Sequence, residues 1–115
     1  MRSTILAAAL LGGATAVVGP AGELIYFEKM DNTQIASIAI AQHKARVAAT
    51  FRRPTQVFEA AVNANPSMLT LDGVIASPGG IPLIEAGKLI GAVGCSGGTS
   101  AQDVQLCKAG AALIK

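Results

Sequence analysis

The sequence predicts one small α+β domain, an antiparallel sheet with helices packed on it. Short apolar strands alternate with three stretches of helical periodicity, and two of the turns are short enough to require antiparallel pairing. Hydrophobic residues make up 51% of the 115-residue chain and charged residues only 14%, a balance that excludes a disordered chain. Because only 3% of the residues are aromatic, the core must consist of small and β-branched side chains in close contact.

Two hairpins define the predicted sheet. The turn sequence Gly19-Pro20-Ala21-Gly22 separates the first pair of strands, because proline fixes φ and glycine accepts positive φ. The dipeptide Ala86-Gly87 joins the last two strands in a tight turn. In total, five strands are predicted, at residues 14–18, 23–30, 74–76, 81–85 and 88–93.

Each predicted helix has a start signal. Asp31, with Gln34 three residues later, predicts the cap of the central helix, and Pro54 suits the first turn of the next. Ser100 and Asp103 form a capping-box pattern before the last helix. The predicted helices cover residues 33–51, 55–62 and 100–112, so the element order is β-β-α-α-β-β-β-α.

The N-terminus resembles a secretory signal peptide over residues 1–16. A short charged start precedes the apolar run 5–11, and Ala14-Thr15-Ala16 supplies an A-x-A cleavage pattern. The alternative is a short apolar helix that the mature chain keeps, since cleavage after Ala16 would leave the chain beginning inside a strand. The apolar run is too short to span a membrane. We expect a single domain over 14–115, exported to the periplasm or secreted if the signal is real and cytoplasmic otherwise.

Charge and metal-ligand residues restrict the function classes. Nine basic against seven acidic residues give a net charge of +2, too balanced for a nucleic-acid-binding protein. His43 is the single histidine, and Cys95 and Cys107 lack CxxC spacing, so a metal would have to arrive within a cofactor. The default expectation for the cysteines is two buried thiols, with a disulfide conceivable if the protein is exported.

The segment Gly94-Cys95-Ser96-Gly97-Gly98 matches the G-x-S-x-G pattern of a nucleophile elbow. That fold needs a histidine downstream of the serine, and His43 lies upstream, so serine hydrolysis is not supported. The loop is either a structural turn or a subsite for a carboxylate or a haem propionate, formed by Ser96, Gly97 and Gly98 at the start of a helix.

A basic cluster near the end of the central helix contains Lys44, Arg46, Arg52 and Arg53. It is either a solvated helix terminus or a clamp for an acidic ligand, because arginine binds carboxylates through two parallel hydrogen bonds. His43 falls on an apolar helical stripe, which leaves two readings open, a buried core histidine or a ligand to haem iron.

Several motifs, in order and with fitting spacing from about Ala14 to the C-terminus, resemble the GlcG/HbpS-like family, which includes the C-terminal domain of PduO-type proteins. They are VVGPAGEL with EKMD, AQHKAR, FRRPT, GGIP and IGAVGCSGG. The resemblance implies a profilin-like domain with a five-stranded antiparallel sheet, and assembly into homo-oligomers. Some members bind haem or take part in haem or iron handling, and others are encoded beside glycolate or diol-utilisation enzymes.

The sequence departs from this family in two places. Members usually carry a long helix before the first strand, and we expect that helix to be missing, shortened or replaced by residues 5–11 here. Cys95 stands where the family motif most often has valine, and Cys107 where a small apolar residue is usual.

The resemblance predicts a haem-binding protein without catalytic activity. His43 is the expected metal ligand, Thr55 the second choice, and Arg52 and Arg53 would meet the propionates. An alternative is an accessory protein, binding or enzymatic, for small hydroxy acids, whose carboxylate would contact Ser96, Gly97, Gly98 and the basic pair. A further alternative is a structural oligomerisation module without a ligand.

Overall fold

The computed structural model describes residues 13–112, in which four strands form one antiparallel sheet. Strands β1 (Ala14–Val18), β2 (Leu24–Lys29), β3 (Gly80–Glu85) and β4 (Lys88–Ser96) lie in the order β2-β1-β4-β3. The helices are α1 (Ala36–Thr50), α2 (Gln56–Ala64) and α3 (Ser100–Ala111), with a short 3-10 helix at Pro66–Thr70. The predicted α+β class is therefore confirmed. Residues 5–11, for which a leader or helix was predicted, lie outside the described residues.

The prediction of five strands is wrong for the described part of the chain, because residues 74–76 form no strand. A turn precedes them, in which the Val74 N–H donates to the Leu71 carbonyl (3.3 Å) and Gly73 has a φ of +79°. Pro78 follows almost at once. The segment between Gly73 and Pro78 contains β-branched residues, which favour a strand. It is too short, between the turn and the proline, to pair with a neighbouring strand.

Both predicted hairpins are confirmed. In the β1–β2 turn, the Gly19 N–H donates to the Glu23 carbonyl (2.8 Å). In the β3–β4 turn, Ala86 and Gly87 have φ values of +50° and +78°, the two positive angles of a type I′ turn. This turn geometry matches the twist of the flanking strands and fixes the pairing of β3 with β4.

Two predicted helix caps are wrong. Helix α1 begins at Ala36 without a side-chain cap, because Asp31 lies in a turn with Asn32 at a φ of +66°. At α3 the capping box is formed one residue before the predicted position. The Gln102 N–H donates to the Thr99 hydroxyl (3.2 Å), and the Thr99 N–H donates to the Gln102 side chain (2.9 Å).

Alanine dominates the contact between α1 and the sheet. The buried cluster on this face consists of Ala14, Ala16, Val18, Ala41, Ala45, Ala48, Ala49 and Ala92. Helix and sheet approach so closely that a Cβ atom added at Gly94 would overlap the Ala41 carbonyl oxygen and lie 2.6 Å from the Ala45 nitrogen. The predicted core of small side chains in tight helix-on-sheet contact is thereby confirmed.

Helix α3 covers the opposite face of the sheet. Alternate residues of the strands point to this side and pack with α3 in a second cluster of Val17, Ile81, Leu83, Val93, Cys95 and Cys107. The two cysteines are fully buried, as predicted, but the expectation of free thiols is wrong, because they form a disulfide between β4 and α3. The cross-link fixes α3 on the sheet twelve residues after Cys95.

Removing the cross-link should destabilise the protein. For Cys107→Ala we expect the free energy of unfolding to fall by about 3 kcal/mol, because a closed loop of this length restricts the unfolded chain. Denaturant unfolding of the oxidised parent, the reduced parent and the variant measures the loss. The reduced parent retains both sulfur atoms and so separates the effect of the cross-link from that of packing. Equal stability of oxidised and reduced parent would contradict the prediction.

Candidate functional site

His43 lies half-buried on α1 against the 71–74 turn. Its Nε2 atom is 3.1 Å from the carbonyl oxygen of Gly73. A carbonyl oxygen only accepts hydrogen bonds, so Nε2 carries the proton in this contact, and in a neutral ring Nδ1 then retains its lone pair. The structure gives Nδ1 no hydrogen-bond partner among residues 13–112. This histidine is therefore partly accessible, and within the described residues one of its nitrogens has no hydrogen-bond partner.

The arginines divide into two groups along α1. Arg46 is exposed and follows His43 by about one helical turn. Arg52 and Arg53 are also exposed but lie beyond the end of the helix, where Arg52 has a φ of +58° and the Arg53 Nε donates to the Phe51 carbonyl (2.9 Å). The last residue of α1 is about 10 Å along the axis from His43, so the predicted pair stands two turns away from it.

Thr55 has a structural role. Its hydroxyl accepts from the Gly80 N–H (2.8 Å), and its own N–H donates to the Gly80 carbonyl (3.0 Å). The residue is fully buried, so a ligand could reach the hydroxyl only if α2 moved away from β3. These reciprocal bonds fix the start of α2 to the sheet.

Two donors of the glycine-rich loop, the Ser96 hydroxyl and the Gly98 N–H, already have partners in the protein. Ser96 is buried, and its hydroxyl donates to the hydroxyl of Ser37 (3.2 Å). The Gly98 N–H donates to the Asp103 carboxylate (3.0 Å), which stands where the predicted subsite would place a ligand carboxylate. Gly97 and Gly98 instead border a polar cleft of about 490 Å³ that also contains residues 30–34. This cleft includes neither His43 nor the arginine pair, so the predicted site residues fall in separate places.

An ion pair that the sequence analysis did not predict lies beneath this loop. The Lys44 Nζ is 3.1 Å from the Asp103 Oδ2 and donates to the Cys95 carbonyl (2.9 Å). Only 2% of the Lys44 side chain is exposed, so this lysine does not belong to a solvated basic cluster. One signal was present in the sequence, because Lys44 falls on the same helical stripe as Ala41 and Ala45, which face the sheet.

Two findings concern metals and membranes. Within the described residues, no three side chains of His, Cys, Asp or Glu come together to form a metal site. In the same part of the chain, no helix has both the length and the hydrophobicity needed to cross a membrane.

Comparison with known proteins gives the family. Residues 5–112 match the family model HbpS-like, described as haem degrading protein HbpS-like. The chain belongs to the HbpS-like family. The match begins within the apolar run for which a leader was predicted. Escherichia coli GlcG is 40% identical over 82 residues, which make up 70% of this HbpS-like chain and 61% of GlcG. The matched segment thus spans less than two thirds of that relative.

Solved structures share the fold of this HbpS-like chain. A double mutant of Streptomyces reticuli HbpS superposes with a TM-score of 0.84 at 26% identity, covering 99% of this chain and 80% of that one. The PduOC:heme complex gives a TM-score of 0.85 at 22% identity, covering 99% and 91%. The predicted resemblance to the GlcG/HbpS-like family is confirmed.

Removing one partner of the buried ion pair should lower the free energy of unfolding more than removing both. Lys44→Met leaves the Asp103 carboxylate buried without a counter-ion, and we expect the free energy of unfolding to fall by about 3–5 kcal/mol. The double variant Lys44→Met/Asp103→Asn removes both charges, and the amide oxygen at position 103 can still accept from the Gly98 N–H. This variant should recover at least half of the lost free energy of unfolding. Denaturant unfolding measures each value.

The matched control is Lys108→Met, which removes an exposed lysine from α3 and should change stability by less than about 0.5 kcal/mol. An equal effect of the two lysine substitutions would show that the charge of Lys44 is not buried.

Proposed function

We propose that this protein binds haem and serves in haem or iron handling without catalysing a reaction. The observation that carries the proposal is His43, a half-buried imidazole that hydrogen-bonds the Gly73 carbonyl through Nε2 next to exposed apolar side chains. Histidine is a common protein ligand of haem iron, and metal-ligating histidines usually donate their second N–H to a carbonyl or carboxylate. The family description as haem degrading and the PduOC:heme complex support the same ligand class.

The surroundings of His43 fit an amphipathic ligand. The neighbouring chain segment exposes apolar side chains, among them Leu69 (58% exposed) and Leu71 (45%), which could cover part of a porphyrin. Arg46 is nearer to His43 than the predicted Arg52 and Arg53, and we include it among the candidate propionate contacts. When bound, haem would supply the iron, and the contribution of the protein is to hold and partly shield it.

The geometry disfavours the carboxylate alternative. The N–H groups of Gly98 and Thr99 already donate to Asp103 and Gln102, so neither is free to bind a ligand carboxylate. Self-association and export stay predictions. Exposed apolar residues such as Ile35 (83%) favour self-association. The Cys95–Cys107 disulfide favours an oxidising compartment and hence export.

A haemin titration tests the proposal. We expect a saturable Soret shift for the parent and an affinity at least about tenfold weaker for His43→Ala, because the axial ligand is lost. Thr50→Ala, at an exposed position on the same helix, should bind like the parent. A parent without a saturable shift would overturn the proposal, and unchanged binding by His43→Ala would place the axial ligand elsewhere.

The same samples distinguish the rival functions. Haemin should raise the thermal midpoint of the parent and glycolate should not, because only a ligand of the native state stabilises it. If ascorbate in air bleached protein-bound haem faster than free haem, the non-catalytic part of the proposal would be wrong.

A further inference from the structure

Helix α3 is attached to the sheet through two buried side chains one turn apart. Among the α3 side chains that the structure describes, only Asp103 and Cys107 are buried (3% and 0% exposed). Asp103 pairs with Lys44, and Cys107 forms the disulfide with Cys95. The other described side chains of the helix are exposed or partly buried, so apolar packing alone holds it weakly. Two specific links therefore fix α3 in place.

Both links meet at the end of β4. The Cys95 sulfur is bonded to Cys107, and the Cys95 carbonyl accepts from the Lys44 Nζ (2.9 Å). The same Nζ is 3.1 Å from the Asp103 carboxylate. Because residues four apart lie on the same side of a helix, Asp103 and Cys107 restrain the same movement of α3 away from the sheet. The ion pair therefore opposes any movement that would expose the disulfide.

The disulfide is closed to solvent. Both cysteines are fully buried, so a reductant reaches the sulfur atoms only when α3 moves off the sheet or the whole chain unfolds. A dithiol reductant then attacks one sulfur as its thiolate and forms a mixed disulfide, which its second thiol resolves. The reductant is oxidised to a disulfide, and Cys95 and Cys107 each gain one electron and one proton. After reduction, the ion pair is the specific link that remains on α3.

We propose that the disulfide and the ion pair form a redox-sensitive latch on α3. The ion pair limits how often the disulfide is exposed to a reductant, and reduction frees the helix to open while the sheet stays folded. Opening uncovers the apolar residues beneath α3, which are Val17, Ile81, Leu83 and Val93. The inference is independent of the proposed haem function, and its experiments use no haem.

The first experiment measures how fast dithiothreitol reduces the oxidised protein at urea concentrations below the unfolding transition. Opening one helix exposes much less surface than global unfolding does. The logarithm of the reduction rate should therefore rise with urea at less than about half the slope that equilibrium unfolding gives. A slope near the equilibrium value would show that the helix does not open by itself, and would overturn the latch.

Variants of the ion pair test its control over reduction. In Lys44→Met the Asp103 carboxylate lacks its counter-ion and regains water when α3 opens, so we expect reduction at least about tenfold faster than in the parent, with the same shallow urea dependence. Lys44→Met/Asp103→Asn has no unpaired charge to hydrate, and its rate should fall between those of Lys44→Met and the parent.

The matched control is Lys108→Met, which removes an exposed α3 lysine outside the pair and should react within about twofold of the parent. If neither ion-pair variant were reduced faster than Lys108→Met, the ion pair would have no part in the latch and the inference would be wrong.

The second experiment tests the release of α3 after reduction. Iodoacetamide labels Cys95 and Cys107 in the reduced parent, and the rate relative to an unfolded peptide gives the fraction of molecules in which the thiols are exposed. Denaturant unfolding of the same reduced protein gives the globally unfolded fraction. We expect the exposed fraction to be at least about tenfold larger than the unfolded fraction. Equal fractions would mean that only global unfolding exposes the thiols, which contradicts the release of α3.

Discussion

Lys44 and Asp103 form an ion pair that connects helices on opposite faces of the sheet. Lys44 reaches from α1 to the end of β4, where it also bonds the Cys95 carbonyl, and Asp103 arrives from α3. The second oxygen of that carboxylate accepts from Gly98. Gly79 leaves room for the pair, since a Cβ atom there would lie 3.0 Å from the Lys44 nitrogen. Desolvation offsets much of the attraction between buried charges, so the pair specifies how the elements fit together more than it adds net stability.

The sequence was informative wherever local chemistry decides the conformation. Both hairpins follow from turn residues, and the helical stretches follow from periodicity. Failures arose where a distant group outweighed a local preference. Asp103 fits the capping-box pattern, but its carboxylate pairs with Lys44. The capping box forms at Thr99 instead. The β-branched segment 74–76 has strand propensity, yet no strand edge pairs with it.

Only part of the candidate site could be foreseen. His43 stood out because it is the sole histidine and lies within a family motif, whereas its bond to Gly73 spans thirty residues and leaves no mark in the sequence. Thr55 matched a family motif as well, but its hydroxyl is bonded to Gly80, which is 25 residues away. The disulfide could not be predicted either, because the sequence does not show whether β4 and α3 bring their cysteines within bonding distance.

The alanine contact between α1 and the sheet has a consequence for the thermodynamics of folding. A buried alanine or glycine has no side-chain rotamers to lose, so this half of the core orders at almost no cost in side-chain entropy. The same composition leaves little plasticity, since neighbours without rotatable groups cannot adjust to an added methyl at Gly94. The α1 face of the sheet therefore orders at a low cost in side-chain entropy but tolerates few substitutions. Sequence variation should accumulate among the larger side chains of the α3 face.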